Sequence, residues 1–593
     1  MSSRRATKTL PYGILVCPLV VCVWILLVFL QQFTTSDPLQ SILHTPEPHH
    51  GETPHTKLHN PDLSRQRIEL HPEDHAYRNP VTQHLDWVVT TDHLRPDGVL
   101  KRVYLINGLF PGPTIEARSG DTLLINVTNA LQEQSISLHW HGLQISNAMD
   151  GVPGVTQCVI TAGSTFMYNL TIPHDQSGTF WYHGHVGTSR ADGLYGGFVV
   201  HAPSPKPTVR GLRTHESAES VRYGYEREFL LLIGDWYHLP GDKVLAWYMS
   251  IESFGNEPVP DSLLINGVGH FHCSMAVPAR PVDCIEQQTT LAYLAAISSA
   301  SQANIPTRSL AGFTLAFENQ QPTVIQVDSI DIEPREAPSA GILYPGQRMD
   351  IILQPLSTHN PTSLTIHLDQ ESFNHPNPAL TPTQAIPLTP SYSPIPQALP
   401  PNTLDLSNIP SKHSSLSEIP ASPAQTHVVY TKTQKLSINH NIPNGFFNRT
   451  TWRPPTVPLN TLGRDQWDEN QFSFTAATDE WMDLVVNNLD EGGHPFHMHG
   501  HHFYILRVYE APIGWGSYNP FTDPVPPGLE PGSTFSEQGY DLSRAMLRDT
   551  VYIPSRGYAV LRLRTDNPGV WLFHCHIIWH LASGMAMLVD VGG

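Results

Sequence analysis

Short apolar runs separated by turn residues dominate the chain from about Leu85 onward. Four runs in the first part of this region are Val88-Val89, Val103–Ile106, Leu123–Ile125 and Phe198–Val200. Runs of this length, bounded by turns such as Pro111-Gly112-Pro113, are typical of β-strands. The same pattern extends from Glu228–Leu230 to Leu364–Ile366 and returns from about Val428 to the end. The pattern therefore predicts an all-β fold of sandwiches or barrels.

Prolines mark one break in this pattern. Residues 371–430 contain twelve prolines, so we expect an extended interdomain connection there. The rest of the β-rich region then divides into three units of comparable size, at residues 82–203, 222–370 and 431–593.

The N-terminal region has a different pattern. Arg4, Arg5 and Lys8 precede an apolar run at about 12–30, which as a helix would span about 28 Å, close to the thickness of a bilayer core. Because no small-residue cleavage site follows, residues 1–33 are interpreted as a cytoplasmic tail and an uncleaved signal-anchor. The polar residues 34–81 would form a stalk, with the remainder lumenal or extracellular. The alternative is a cleaved signal and a secreted protein.

Three glycosylation sequons agree with a course through the secretory pathway. They are Asn126-Val127-Thr128, Asn169-Leu170-Thr171 and Asn448-Arg449-Thr450. The formal net charge of −19 argues against a nucleic-acid partner, because a polyanion would be repelled. Six cysteines in 593 residues are too few for a disulfide scaffold, whereas 33 histidines are unusually many.

Four histidine pairs stand in distinctive sequence contexts. They lie in Leu138-His139-Trp140-His141, Trp181-Tyr182-His183-Gly184-His185, His494-Pro495-Phe496-His497-Met498-His499 and His574-Cys575-His576. On a strand, residues i and i+2 face the same side, so each pair can present two imidazoles to one metal cluster. Eight neutral imidazoles suit several nitrogen-preferring ions, and copper ranks highest among these. A further pair, His270-Phe271-His272, lacks such a context and is interpreted as a chance occurrence.

Cys575 faces the side of its strand opposite to the two flanking histidines. His580 follows five residues later and Met585 ten residues later. Together with one distant histidine, a cysteine, a histidine and a weak axial methionine form the ligand set of a blue-copper site.

With these motifs, the sequence resembles the multicopper oxidases, which include laccases, ascorbate oxidases and fungal ferroxidases. The likeness covers about residues 82–593 and also includes Asn107–Pro113, Asp150–Pro153, Thr156–Cys158 and Asp192–Leu194. It implies three cupredoxin-like Greek-key β-sandwich domains after an N-terminal membrane segment. It also implies four copper ions and the reduction of O2 to water.

The resemblance further implies which residues bind copper. The type 1 copper would be held by His494, Cys575 and His580, with Met585 as the axial ligand. The type 2 copper would take His139 and His497. The type 3 pair would take His141, His183, His185, His499, His574 and His576. Asp150 matches the family's aspartate beside the trinuclear cluster and is a candidate for assisting proton delivery to oxygen.

Several positions depart from the family pattern. Ile578 replaces an acid that is frequent three residues after the cysteine. Asp235 stands where we expect ferroxidases to carry the glutamate that guides iron, although Asp490 matches a ferroxidase acid. Residues 293–304 lack the family's basic strand pattern.

The cysteines outside the apolar N-terminal run leave the pairing open. Cys158 matches a cysteine whose usual partner is a C-terminal tail cysteine, and the chain stops at Gly593. Cys273 and Cys284 could pair with each other.

These departures favour a laccase-like enzyme that oxidises phenolic or aromatic substrates by one electron, including oxidative coupling in pigment or secondary-metabolite formation. The loop 510–545, which contains Trp515, Tyr518 and Phe521, would suit an aromatic substrate. The alternative enzyme is a cell-surface ferroxidase that oxidises Fe(II), and only this alternative would require a permease partner. A non-catalytic copper or electron-transfer protein is the alternative from another class.

The signal-anchor interpretation predicts an intact N-terminus in the mature protein, because the apolar run would stay in the membrane. N-terminal sequencing of the mature protein is the measurement. A first residue beyond Leu30 would show instead that the segment is a removed signal.

Overall fold

The computed structural model describes residues 69–204, 218–286, 301–308, 311–354, 363–369, 377–388, 396–511 and 540–592, together with residues 371, 373 and 375. The predicted membrane segment, most of the predicted stalk and the aromatic residues Trp515, Tyr518 and Phe521 lie outside these residues. Among the helices of the described ranges, none is both long and apolar enough to cross a membrane.

The first β-sandwich consists of two four-stranded sheets. Its strands are β2 (Thr82–Leu94), β3 (Lys101–Ile106), β4 (Ile115–Arg118), β5 (Thr122–Asn129), β6 (Leu138–His141), β7 (Thr165–Thr171), β8 (Gly178–Gly184) and β9 (Tyr195–His201). The sheet orders are β3-β2-β5-β7 and β4-β9-β8-β6. Strand β5 alternates as its sequence predicts, with Leu123, Ile125 and Val127 fully buried between the sheets.

The second β-sandwich has a larger sheet of order β13-β12-β11-β14-β19-β16-β17, in which β10 also pairs with β14. A second sheet has the order β21-β20-β15-β18-β22. The strands are β10 (Arg227–Leu230), β11 (Ile233–Trp236), β12 (Ser262–Ile265), β13 (Val268–Gly269), β14 (Ser301–Arg308), β15 (Phe313–Phe317), β16 (Thr323–Val327), β17 (Ile330–Glu336), β18 (Ser339–Leu343), β19 (Arg348–Leu353), β20 (Ser363–Leu368), β21 (Thr383–Pro387) and β22 (Thr403–Asp405).

The third β-sandwich has the sheet orders β24-β23-β26-β31-β28-β29 and β25-β33-β32-β27-β30. Its strands are β23 (Gln425–Gln434), β24 (Asn444–Phe447), β25 (Ser473–Ala476), β26 (Trp481–Asn488), β27 (His494–Met498), β28 (Phe503–Tyr509), β29 (Met546–Arg548), β30 (Thr550–Ile553), β31 (Tyr558–Arg564), β32 (Gly569–Cys575) and β33 (Ala586–Val591). The three sandwiches confirm the predicted all-β, cupredoxin-like architecture.

Helical segments are short. The α-helices are α1 (Pro72–Ala76), α2 (Ala218–Tyr223), α3 (Gly241–Tyr248) and α4 (Ile578–Ser583). Short 3-10 turns occur at Asn147–Met149, Ser189–Asp192, Ile251–Ser253, Cys273–Met275, Leu406–Asn408, Ser414–Glu418, Ser437–Asn439, Leu459–Thr461, Arg464–Gln466 and Leu542–Arg544. Helix α4 ends at Ser583 and is capped by Gly584, whose φ of 109° reverses the chain so that Met585 lies beside Cys575, directly before β33.

The end of the predicted stalk is part of the folded protein. Strand β1 (Glu69–Leu70) pairs with β10 of the second sandwich, and Leu70 is buried in a cluster shared by the first two units. Arg227 makes a two-pronged ion pair with Glu69, at 2.6 and 2.7 Å. The prediction of a stalk is therefore wrong for residues 69–81.

The proline-rich segment 371–430 also contributes strands, contrary to the prediction of a plain connection. Strands β21 and β22 form the two edges of the smaller sheet in the second sandwich, and β23 begins within the segment at Gln425. Proline lacks the N–H that a central strand needs, and edge strands tolerate this loss.

A disulfide joins Cys273 to Cys284, which confirms that these two cysteines pair. Among the described cysteines, Cys158 and Cys575 are free, and Cys158 is exposed.

A buried ion pair in the third sandwich gives a stability prediction. Arg562 and Asp483 face each other on neighbouring strands, both are 0% exposed, and two hydrogen bonds of 2.7 and 2.8 Å join them. Arg562→Met leaves an unpaired buried carboxylate and should destabilise the protein by about 3–5 kcal/mol.

Urea unfolding is the measurement, and the double variant Arg562→Met/Asp483→Leu is the matched control. We expect the double variant to recover most of the loss, because its two apolar side chains leave no uncompensated charge. An equal loss in both variants would contradict this account.

Candidate metal centres

Antiparallel pairing brings the histidine motifs of the first and third sandwiches together. His139 on β6 lies opposite His183 on β8, and His497 on β27 lies opposite His574 on β32. Since side chains two residues apart share a face, the second histidine of each pair lies on the same side as the first. The i, i+2 prediction from the sequence therefore describes the local geometry correctly.

The eight histidines converge on one interior site between the two sandwiches. Ring nitrogens lie within 4.8 Å of one another in three overlapping groups, which are His139/His141/His183, His139/His497/His499 and His185/His499/His574. His576 joins them, with its ring centroid 4.8 Å from that of His141. Seven of the eight are buried and His185 is half-buried. The structure thus assembles all eight predicted ligands of the trinuclear site.

Hydrogen bonds hold one nitrogen of several rings and leave the other free. The Nδ1 atoms of His139, His497 and His574 each lie 2.9 Å from a backbone carbonyl oxygen. Within the described residues, no hydrogen bond reaches the buried Nε2 atoms of His139, His183, His185 and His497, or Nδ1 of His141. A buried polar atom without a partner is costly, and a metal ion would satisfy these nitrogens.

Burial also keeps the cluster in the protonation state that binds metal. Desolvation lowers the pKa of His141, His183, His185, His574 and His576 well below the usual value for histidine. The rings are therefore neutral, with a lone pair available for coordination. Their chemistry fits copper.

The predicted type 1 ligands form a second, separate group. His494 Nδ1 lies 3.0 Å from His580 Nδ1, and Cys575 Sγ lies 3.4 Å from His580 Nδ1 and 3.8 Å from His494 Nδ1. Met585 is fully buried, and its carbonyl oxygen accepts a hydrogen bond from Cys575 N at 3.1 Å. These positions fit a copper ion bound by Cys575 and the two Nδ1 atoms.

The electrostatics of this site favour a thiolate. Burial alone would raise the pKa of the Cys575 thiol, but the neighbouring His580 and His494 lower it to about 7. The thiolate is the form that binds metals.

Asp150 lies against the trinuclear site, as predicted. Its carboxylate contacts His499 Nδ1 at 2.9 Å and His139 Nδ1 at 3.1 Å. Burial opposes ionisation, yet these two imidazoles hold the pKa of Asp150 far below its usual value. A charged carboxylate therefore connects a histidine of the first sandwich to one of the third.

A second acid at this site was missed by the sequence analysis. Asp549 lies 3.3 Å from His141 Nε2, and Arg348 of the second sandwich donates two hydrogen bonds to it, at 2.7 and 2.6 Å. Asp549 stands between β29 and β30 without a motif or a period that would relate it to His141. Only the assembly of all three sandwiches reveals its role.

Of the acids predicted near the type 1 site, the structure brings one to it and not the other. Asp490 Oδ2 lies 3.3 Å from the buried Nε2 of His494, the ring nitrogen that faces outward in the sense that it points away from Cys575. Asp235 is buried in β11, where its Oδ2 accepts a hydrogen bond from Ala311 N at 3.4 Å. The role predicted for Asp235 is therefore wrong.

Glu257 occupies the position that had been assigned to Asp235. Its Oε1 lies 3.0 Å from the outward-facing Nε2 of His580. Glu257 follows Phe254-Gly255-Asn256 and precedes Pro258, a pattern that predicts a loop. No periodicity links a loop of the second unit to a histidine in the third, so the sequence alone held no signal for this contact.

Comparisons with known proteins agree with this geometry. Three family models, each described as multicopper oxidase, match residues 88–205, 227–385 and 431–592. The iron transport multicopper oxidase FET3 of Gibberella zeae is 32% identical over 527 residues, covering 85% of this chain and 75% of that protein. Laccase-1 of Cryptococcus neoformans var. grubii is 29% identical over 552 residues, covering 86% of this chain and 80% of that protein.

Solved structures show the same fold. Fet3p, described as a multicopper oxidase that functions in iron import, superposes with a TM-score of 0.70 at 26% identity, covering 86% of this chain and 90% of that one. The laccase from Botrytis aclada gives a TM-score of 0.67 at 24% identity, covering 88% and 90%. Family models, sequence relatives and the two assembled histidine sites together show that the chain belongs to the multicopper oxidase family of copper-dependent oxidoreductases that use O2.

Proposed function

We propose that this multicopper oxidase is a ferroxidase, which oxidises four Fe(II) to four Fe(III) while one O2 and four protons become two water molecules. The observation that carries the proposal is the pair of carboxylates, Glu257 and Asp490, against the outward nitrogens of His580 and His494. The sequence had favoured phenols over Fe(II), and that preference depended on the role assigned to Asp235. The proposal reverses it.

The two carboxylates form a suitable landing place for a small cation. Each side chain is 18% exposed, so each carboxylate is partly open to solvent. Histidine lowers the pKa of both acids against the effect of burial, so both are ionised. Carboxylate oxygens are suitable ligands for Fe(II), and the net charge of −19 attracts cations generally.

Rigid contacts hold these acids in place. Asp490 Oδ2 accepts a hydrogen bond from Thr433 N at 2.8 Å. Tyr237 donates to the carbonyl of Pro258 and accepts from Trp579 Nε1, which connects the Glu257 loop to helix α4 next to His580. The distance from each carboxylate to its histidine is therefore fixed by the fold rather than by a flexible side chain.

The remaining residues are assigned by the same geometry. Type 1 copper would be held by His494, Cys575, His580 and Met585. Type 2 copper would be held by His139 and His497, and the type 3 pair by His141, His183, His185, His499, His574 and His576. These coppers would supply one-electron oxidation of the donor and four-electron reduction of O2. Cys575 lies between His574 and His576 in sequence, so a covalent path of a few bonds joins the two sites. Asp150 orients His139 and His499, and as an ionised carboxylate beside the trinuclear site it would assist proton delivery by accepting a proton only in passing.

The relatives support a place for this activity at the cell surface. Several are named iron transport multicopper oxidases, and the Fet3p structure is described as functioning in iron import. We include in the proposal that the predicted signal-anchor holds the enzyme at the membrane and that an iron permease takes up the product.

Oxidation of phenols is the second candidate, and one surface feature favours it. Ile251 and Phe254 are 55% and 71% exposed on the Glu257 loop, and Ile438 is 88% exposed on the neighbouring loop. Close packing of Gly255 against Lys435 and Asn441 brings the two loops together. An aromatic ring could rest on these apolar side chains while Glu257 accepts a hydrogen bond from the phenolic hydroxyl.

The assignment of Cys575 predicts a blue protein, because charge transfer from the thiolate to Cu(II) gives the colour. Cys575→Ser should abolish the blue absorption and the oxidase activity but leave the type 2 signal in the EPR spectrum, since His139 and His497 are unchanged. Visible and EPR spectra of the purified variant are the measurement. A variant that stays blue would overturn the ligand assignment.

The substrate proposal predicts that Glu257→Gln lowers kcat/KM for Fe(II) by at least about tenfold, or ~1.4 kcal/mol, because it removes a charge at the iron contact. Asp490→Asn should have a similar effect. Turnover of a simple diphenol should change less in both variants, because an amide oxygen still accepts a hydrogen bond.

The control is Glu252→Gln, which removes an exposed carboxylate from the same loop and should leave both activities unchanged. The kinetic constants are compared at one acidic pH and one salt concentration. Equal losses for Fe(II) and the diphenol, or a diphenol kcat/KM above that for Fe(II) in the unmodified enzyme, would place the phenol candidate first.

A further inference from the structure

The pair His270 and His272, interpreted as a chance occurrence in the sequence, has an ordered setting in the structure. Phe271 between them is buried, its ring packs against that of His238 with centroids 4.5 Å apart, and its N–H donates to Asp97 O at 2.9 Å. Phe271 thus anchors the segment inward. The two imidazoles project to the other side, with ring centroids 4.3 Å apart.

A carboxylate from a later part of the chain meets both rings. Glu286 Oε1 lies 3.4 Å from His270 Nε2 and 3.1 Å from His272 Nδ1. The other oxygen, Oε2, accepts a hydrogen bond from Cys273 N at 2.9 Å, which fixes the orientation of the carboxylate. Three donor groups therefore converge on one point.

The disulfide keeps this arrangement in place. Cys273 directly follows His272, and Cys284 lies two residues before Glu286. Because Cys273 and Cys284 are bonded, the two segments that carry the donors cannot separate. A site that is assembled in advance loses little conformational entropy when it binds an ion.

We propose that His270, His272 and Glu286 bind one divalent transition-metal ion, in addition to the four catalytic coppers. Two imidazole nitrogens and one carboxylate oxygen suit Zn(II) or Cu(II), with water completing the coordination. The side chains of His272 and Glu286 are 67% and 53% exposed, so an ion enters directly from solvent. The site takes no part in the reaction of O2, since its ligands are distinct from all the copper ligands.

The position of the site gives the bound ion a structural effect. Asp283 O accepts a hydrogen bond from Leu100 N at 2.8 Å, and Ile285 N donates to Gly98 O at 2.9 Å. The segment carrying Glu286 is therefore attached to the β2–β3 turn of the first sandwich, and so is the histidine segment, because Gly269 N and Phe271 N donate to Pro96 O and Asp97 O of the same turn. An ion at the site cross-links the two segments that pack on this turn, and binding to the folded state alone raises stability.

The test is titration of the copper-replete full-length protein with Zn(II), followed by calorimetry and by metal analysis after dialysis. We expect one Zn(II) per chain and a higher thermal midpoint with Zn(II) present. His272→Gln and Glu286→Gln should each weaken Zn(II) binding by at least about tenfold, since even indirect partners of a ligand change metal affinity roughly 10- to 100-fold. His93→Gln, which alters an exposed histidine on β2, should bind Zn(II) like the unmodified protein.

The blue absorption serves as the check that each variant is folded and loaded with copper. The proposal is overturned if the unmodified protein binds no Zn(II) beyond its four coppers. It is equally overturned if the two ligand variants bind Zn(II) as tightly as the His93 control.

Discussion

The position of one proton on each buried imidazole is the constraint on which this structure depends. The rings are packed closely, with centroids 3.8 Å apart for His139 and His499 and 3.7 Å apart for His141 and His497. Charged rings at these distances would repel one another in a medium of low dielectric constant, and burial removes the charge. A neutral imidazole still has one N–H, and this donor must point away from the metal. Asp150 and the carbonyl oxygens of Asp549 and Cys575 accept these hydrogens, so that the free nitrogens face inward.

This requirement explains how the second sandwich contributes to the site although none of the assigned copper ligands comes from it. Arg348 is fully buried, donates to both oxygens of Asp549 and also donates to Thr179 O of the first sandwich, at 3.0 Å. The guanidinium thereby neutralises a carboxylate that would otherwise be unpaired beside His141. Gly346 on the preceding turn has a φ of 96°, and a Cβ there would approach the rings of His576 and His141 at 3.1 and 3.2 Å. The second sandwich therefore closes the cluster from outside and sets its charge.

Sequence reasoning correctly predicted the features that follow from the residue repeat of a strand or from a family motif. Eight histidines share faces because a strand repeats every two residues, and this geometry holds in any strand. Glu257 and Asp549 were missed because contacts between distant loops leave no period in the sequence. The role predicted for Asp235 was wrong because it depended only on the position of this residue before Trp236-Tyr237-His238. In the structure, strand β11 buries the Asp235 side chain in the interior. The prolines of 371–430 suggested a connection, since their composition does not distinguish a loop from an edge strand.

The contrast between strands and loops also separates the two parts of the function. The residues assigned as copper ligands lie on or directly beside strands and helix α4 of the first and third sandwiches, where the hydrogen-bonded sheets fix their geometry. The groups proposed to meet the electron donor are the carboxylate of Glu257, from a loop of the second sandwich, and that of Asp490, from the turn after β26. A change in these loops can replace a carboxylate pair by an apolar surface without moving a copper ligand. This chain resembles both an iron transport multicopper oxidase and a laccase, which agrees with a cluster that stays the same while the loops beside the type 1 histidines vary. In this chain the Nε2 atoms of His494 and His580 each contact a carboxylate, which is the physical reason to propose the cation Fe(II) as the substrate ahead of phenols.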